Sequence, residues 1–143
     1  MNIIERKLIL KSPLERAWNA VGTSEGFTAW FKSAVVGDWK VGAAVLLKWP
    51  SGFFVEIRIV EIDEPHHFAY QWHPGGSSML ADHPESELTT VNFHLRAVDG
   101  GTELHLLETG FDSISDEHKL KVLGLNTEGW DEELGQIQAY VEA

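Results

Sequence analysis

The chain has no cysteine, and only two methionines and two tyrosines among its 143 residues. Without cysteine it forms no disulfide, offers no thiol nucleophile, and holds neither an iron–sulfur cluster nor a thiolate zinc site. That lack fits a reducing compartment. Basic residues are also scarce. Eleven Lys and Arg stand against 22 Asp and Glu, a formal net charge of −11. A nucleic-acid backbone calls for clustered cations, and so does an anionic membrane surface, so neither is expected as a partner. No apolar run approaches the roughly 18 residues of a membrane span. The segment Asn2-Ile3-Ile4-Glu5-Arg6-Lys7 shows no basic stretch leading into a long apolar core, so no signal peptide is read there. The expectation is a soluble, cytoplasmic protein. Low-complexity segments, repeats and linkers are missing as well, and the length suits one domain over residues 1–143. A chain of this size buries roughly 68–70% of its unfolded surface and needs no disulfide or metal to fold.

Aromatic residues are what the chain has in quantity: six Trp and seven Phe. Their placement follows a readable order of elements. Residues 3–11 predict a first strand. Ser12-Pro13-Leu14-Glu15 matches a capping box, with Pro13 at a first-turn position that needs no N–H. A short helix over 13–20 follows, carrying Leu14, Ala17, Trp18 and Val21 on one face and ending at Gly22. A second helix from about Ser24 carries Phe27, Trp30 and Phe31 at helical spacing.

The period then changes to two. Val45, Leu47 and Trp49 alternate with polar or outer positions, as do Phe68, Tyr70 and Trp72; Val91, Phe93 and Leu95; and Leu104, Leu106 and Glu108. Residues 53–62, which include Phe54, Glu56 and Arg58, form another strand-like run. Asp99-Gly100-Gly101 reads as a tight hairpin turn and Asp63-Glu64-Pro65 as another turn. Residues 73–86 form a longer polar loop, in which Met79 and Leu80 either dip into a pocket or simply connect. From Ser115 the helical period returns and runs to Glu142, with Leu120, Leu123, Trp130, Leu134, Ile137 and Val141 mostly at spacings of three, four and seven, and Trp130, in phase with Leu123, Leu134 and Ile137, expected to face the sheet. These 28 residues span about 42 Å if continuous. Gly124, Gly129 and Gly135 each weaken that helix by roughly 1 kcal/mol and suggest a close approach, a bend or a gap beside something bulky. One strand, two short helices, about six strands and a long helix define an α+β fold. A curved antiparallel sheet of this kind wraps around a single long helix, and incomplete contact between them leaves an apolar cavity.

Several local motifs strengthen that picture. Ser12-Pro13-Leu14-Glu15-Arg16-Ala17-Trp18, Trp30-Phe31, Glu64-Pro65-His66-His67-Phe68-Ala69-Tyr70-Gln71-Trp72, Gly100-Gly101-Thr102-Glu103-Leu104, Gly110-Phe111 and Gly129-Trp130 with Leu134 occur in order over the whole chain. Together they resemble the SRPBCC, or START-like, superfamily with its helix-grip fold, and within it the family of the activator of heat shock protein 90 ATPase. The resemblance implies the sheet-around-helix architecture. Members of the superfamily include lipid-transfer proteins, hormone receptors, polyketide cyclases and a co-chaperone domain, so the fold does not by itself select a function.

The aromatic set therefore carries the functional reading. Trp30, Phe31, Trp39, Trp49, Phe54, Tyr70, Trp72, Phe93 and Trp130, with Leu47, Met79, Leu106, Leu123 and Leu134, are candidates to line a pocket for a hydrophobic or planar ligand; the alternative is a dense aromatic core. Buried indole N–H groups need acceptors, which points to polar atoms in the core. If Val60 and Ile62 face inward, unbroken alternation brings Glu56 and Arg58 inward too; a bulge would turn them out. Glu108 shares the parity of Leu104 and Leu106. A carboxylate in such a pocket has a raised pKa and suits proton transfer. The histidines show neither His-x3-His nor His-Glu-x-x-His spacing, so neither a metal site nor another cofactor is expected. No nucleophile elbow, phosphate loop or dinucleotide fingerprint is present. The leading expectation is a protein that binds a small hydrophobic or aromatic ligand between sheet and helix. A cyclase- or hydrolase-like enzyme using pocket carboxylates is the second reading, and an interaction module in contact with a chaperone the third.

Overall fold

The computed structural model describes residues 2–143. Strand β1 spans Ile4–Leu10. Helices α1 (Leu14–Gly22) and α2 (Ser24–Phe31) follow. Strands β2 (Ala34–Val36), β3 (Ala44–Lys48), β4 (Phe54–Asp63), β5 (His67–Trp72), β6 (Thr89–Val98) and β7 (Gly101–Thr109) come next, and helix α3 (Asp116–Glu142) closes the chain. All seven strands form one antiparallel sheet in the order β1-β7-β6-β5-β4-β3-β2. The two ends of the chain's strand order, β1 and β7, lie side by side because β1 pairs from Ile4↔Glu108 to Leu10↔Thr102. The fold is the curved sheet, long C-terminal helix and pair of short helices of the helix-grip class.

The core lies between one face of the sheet and the three helices. Val45, Leu47, Ile57, Ile59, Phe68, Tyr70, Val91, Phe93, Leu104 and Leu106 supply the sheet side, and Ala17, Val21, Phe27, Trp30, Trp130, Ile137 and Val141 the helix side. The rings interlock: Phe27 meets Trp30 edge-on at 4.7 Å and Tyr70 at 6.0 Å, and Trp39 stacks on Phe68 at 5.2 Å.

Two short helices end without a basic residue in their last turns. Their terminal carbonyls, which have no partner within the helix, need donors from elsewhere. Indoles supply them. Trp30 Nε1 donates to Ala20 O at 2.7 Å, Trp39 Nε1 to Gly22 O at 3.0 Å, and Trp49 Nε1 to Phe31 O at 2.8 Å. Half of the tryptophans thus satisfy backbone acceptors rather than charged side chains.

The capping box expected at Ser12 does not form. The Ser12 hydroxyl donates to Pro13 O at 3.2 Å, and helix α1 begins with no side-chain cap. The helix starts one residue later than the box requires, at Leu14 with Pro13 in the cap position, and Thr102 on β7 donates to Ser12 O at 2.8 Å, holding the strand exit against the sheet. Gly101 makes that approach possible. It has φ 152°, and a Cβ there would collide with the Leu10 carbonyl oxygen.

Helix α3 begins at Asp116 and buries Trp130, Leu134, Ile137 and Val141, but Leu120 is 75% exposed. In the turn of Leu120 the buried residue is Val122. No atom lies within 4 Å of a Cβ built on Gly124, Gly129 or Gly135, so none of the three marks a close approach. Gly124→Ala and Gly135→Ala are therefore expected to stabilise the protein by about 0.5–1 kcal/mol each, measured by urea unfolding.

On the outer face of the sheet, His67, His94 and His105 stand in register across β5, β6 and β7. His67 and His94 stack at 4.2 Å, and His105 Nε2 lies 2.6 Å from Glu5 Oε2. Burial, then His67 and His105, push the His94 pKa below its ordinary 6.5. A histidine with a lowered folded-state pKa gives stability that is complete above the unfolded pKa and is lost as the pH falls through it. Thermal unfolding should therefore show stability dropping as pH falls below about 6.5, and His94→Gln should lessen that drop.

Candidate functional site

A cavity of about 570 Å³ opens between α3, the β3–β4 hairpin and the loop after β5. Its walls are aromatic: Phe31 from the end of α2, Trp49 and Phe53 from the hairpin, Trp72 from the end of β5, and Trp130 from α3. Phe31 and Trp49 meet edge-on at 5.0 Å, Trp49 and Phe53 at 5.2 Å, and Trp72 and Trp130 stack at 6.0 Å. Residues 73–76 form the rim. On α3 the lining residues Leu125, Asn126, Gly129, Trp130 and Glu133 recur at helical spacing, so one face of the helix makes one wall.

Beneath this wall lies Glu108, fully buried on β7. Its Oε1 accepts from Trp130 Nε1 at 2.8 Å, and its Oε2 accepts from Trp72 Nε1 at 2.9 Å and Thr89 Oγ1 at 2.5 Å. Asn126 Nδ2 donates to both oxygens at 3.1 Å. Burial holds the Glu108 pKa above the usual carboxylate value, and hydrogen bonds from Thr89, Trp72, Trp130 and Asn126 offset only part of that rise. Two indoles and an amide N–H can only donate, so this pocket of partners is built for an ionised carboxylate. Glu108 ties β7 to β5, β6 and α3, and fixes the angle of both indoles that wall the cavity.

Two polar atoms nearby have no such satisfaction. Tyr70 Oη and Glu133 Oε2 are buried without a hydrogen-bond partner among the described residues. Burial raises the Tyr70 pKa well above 10, helped by Glu108 and Glu133. Burial, with the neighbouring charge of Glu132, raises Glu133 to about 7 against the opposing pull of Lys32. Glu133 lines the cavity and is half in each protonation state near neutral pH.

Of the residues singled out in the sequence, Phe31, Trp49, Trp72 and Trp130 line this cavity, and Glu108 sits directly behind it. Trp30, Leu47, Tyr70, Phe93 and Leu106 lie in the packed core, as does buried Leu134 on α3. Trp39 packs on Phe68, and Leu123 flanks the core on α3; neither lines the cavity. Phe54 and Met79 are half-buried outside it. Glu56 and Arg58 face away. Val55, Ile57 and Ile59 are the inward residues, and a bulge between Ile59 and Glu61 flips the alternation, so Ile62 is no guide to Arg58. Glu56 accepts from the Leu80 backbone N–H at 3.0 Å, and Arg58 pairs with Glu85 at 3.1 Å. The sequence reading missed Asn126 and Glu133. The signal that could have found them is their spacing of four before and three after Trp130, which puts them on its helix face.

The loop from 73 to 88 is more than a connection in shape. It makes short 3-10 turns at Leu80–Asp82 and Glu85–Glu87, and Ser78 bridges to Val55 on the part of β4 that β5 leaves uncovered. It also gathers His73 with His83 and Glu87, ten and fourteen positions further on.

The curved sheet, the gripping C-terminal helix and the two short helices together define a START-like domain. Within that class the chain belongs to the family described as activator of Hsp90 ATPase homolog 1-like protein, whose model matches residues 11–142. Among solved structures, the Aha1 dimer from Colwellia psychrerythraea is similar at 18% identity and TM-score 0.78, over 99% of this chain and 97% of that one. A Mesorhizobium loti protein is similar at 17% identity and TM-score 0.76, over 97% of this chain and 96% of its own. DynU16, from the dynemicin biosynthetic locus, is similar at 16% identity and TM-score 0.77; this chain is covered in full and spans 48% of that one. No curated protein matches the sequence. No helix among the described residues is long and apolar enough to cross a membrane.

Proposed function

We propose that this protein binds a small, flat, mostly apolar molecule in the cavity between α3 and the β3–β4 hairpin. The observation that carries the reading is the lining itself: five aromatic side chains around about 570 Å³, with Asn126 and Glu133 as the polar groups on the helix wall. That volume lies in the range of small-molecule sites, and a few placed polar groups in an apolar pocket are what orient a ligand. The likeness to DynU16 adds a protein from a biosynthetic locus to the same fold. The test is a panel of flavonoids, polycyclic aromatics and fatty acids, read by thermal shift and by tryptophan emission. Saturable binding with a rise in melting temperature is expected, since a ligand held only by the folded state stabilises it. A ligand with a basic or N–H group should bind more tightly as pH rises through about 7, when Glu133 ionises, and Glu133→Gln should flatten that dependence. A panel without a single thermal shift would remove the reading.

One observation favours catalysis as the second reading. Glu133 is a cavity carboxyl with a pKa near 7, suited to giving or taking a proton. Glu108 is not suited, because protein donors already occupy its oxygens. Turnover of a bound panel member that Glu133→Gln abolishes, with binding retained, would select this reading.

A further inference from the structure

We propose that His73, His83 and Glu87 form a binding site for one divalent transition-metal ion of the zinc type, at the rim of the aromatic cavity. The donor atoms of the three side chains lie within 4.8 Å of one another. His73 Nε2 is 3.8 Å and His83 Nδ1 is 3.7 Å from the same oxygen, Glu87 Oε2. Two ligands about 2.0–2.1 Å from a tetrahedral ion stand roughly 3.3 Å apart, so the two imidazole–carboxylate separations need to close by only about half an ångström, while the imidazole donors lie within 4.8 Å of each other and close as the rings turn. Two imidazoles and one carboxylate match a known zinc donor set, and three protein ligands leave a fourth position for water.

The surroundings favour a cation there. Glu87 has no Lys or Arg partner among the described residues, because Arg58 is already paired with Glu85. The whole chain is strongly acidic. The two imidazole rings stack at 3.5 Å and 12°, a contact that two imidazolium ions would oppose. A metal lies in the plane of each imidazole that binds it. The stack must therefore open like a hinge on binding, by side-chain rotation in half-exposed residues.

The position gives the site a consequence. His73 follows β5 and itself lines the cavity, whereas His83 and Glu87 come from the far end of the same loop. One ion would clamp both ends of the loop whose residues 74–76 wall the cavity, and would offer its open position near that rim. The three residues escape sequence inspection because His83 and Glu87 are four apart but His73 lies ten positions earlier.

The test uses the full chain, stripped with chelator, and zinc chloride as the probe. Isothermal titration is expected to show one equivalent of zinc per chain and a rise in melting temperature on addition. His83→Ala and Glu87→Gln should each weaken binding by about tenfold or more, a loss that even outer-shell partners of a metal can cause. His94→Gln, on the opposite face of the sheet, should leave it unchanged. Cobalt in place of zinc should give visible absorption that is lost in Glu87→Gln. Circular dichroism establishes that each variant is folded; Glu87 is partly exposed, so its substitution is compatible with folding. Absence of saturable zinc uptake overturns the proposal. So does uptake that survives both loop variants, or that is lost in His94→Gln, because zinc would then belong to the His67-His94-His105 row. With the ligand panel read in the presence of chelator, failure here leaves the aromatic cavity untouched.

Discussion

Glu108→Ala should destabilise the protein by about 3 kcal/mol, seen as a fall in the urea midpoint without a change in slope. Three donors that cannot accept, the indoles of Trp72 and Trp130 and the amide of Asn126, would lose their acceptor together. An orphaned buried donor costs about 1–3 kcal/mol. The low end applies, because Trp72, Trp130 and Asn126 border the cavity, where water can reach them. Removing a desolvated charge returns part of the loss. Glu108→Gln separates these contributions. It keeps the volume and one acceptor oxygen but turns an NH2 group towards at least one donor. A cost of about 1–3 kcal/mol is expected if the carboxylate is ionised in the folded state. A glutamine variant as stable as the parent would mean that Glu108 is protonated and that its donors are satisfied by a neutral group.

The order of elements was legible because period and punctuation agree along most of the chain. Inward Val45, Leu47, Phe68, Tyr70, Val91, Phe93, Leu104 and Leu106 all follow two-residue alternation, and the turn at Asp99-Gly100 separates β6 from β7 as written. Glu108 was found by the same parity. The failures share a cause, which is that local rules yield to tertiary ties. Ser12 falls one residue short of the cap position, where Thr102 ties its carbonyl to the sheet. Glu56 and Arg58 change face at a bulge that leaves no mark in composition. The cavity was anticipated as a class, but its place beside the middle of α3 depends on where sheet and helix part, and no single element encodes that. Asn126 and Glu133 look like solvent-facing helix positions until Trp130 is known to point at Glu108. His73, His83 and Glu87 meet only because the loop doubles back.

Trp130→Ala should cost about 3 kcal/mol and weaken ligand binding about tenfold, or about 1.4 kcal/mol. Trp130 is both core and cavity wall. It is 3% exposed, packs edge-on against Phe93 at 5.7 Å, stacks on Trp72 at 6.0 Å, and lines the cavity with its remaining surface. Truncating a fully packed tryptophan costs roughly 3–5 kcal/mol, and the low end is expected where one side already borders open space. Trp130→Phe tests the polar part. It removes the donor to Glu108 Oε1, but Asn126 still serves that oxygen at 3.1 Å, so about 1.5 kcal/mol is expected, the lower limit for a bond to a charged group. Gly129→Ala tests the space. A Cβ there meets no atom within 4 Å, and the residue lines the cavity, so the variant should gain up to about 1 kcal/mol in helix propensity while crowding the ligand. Stability rising as affinity falls would show that α3 keeps a glycine beside Trp130 for the molecule it holds. A full-sized loss in Trp130→Ala with unchanged affinity, together with a Gly129→Ala protein that binds as before, would make this helix face structural alone.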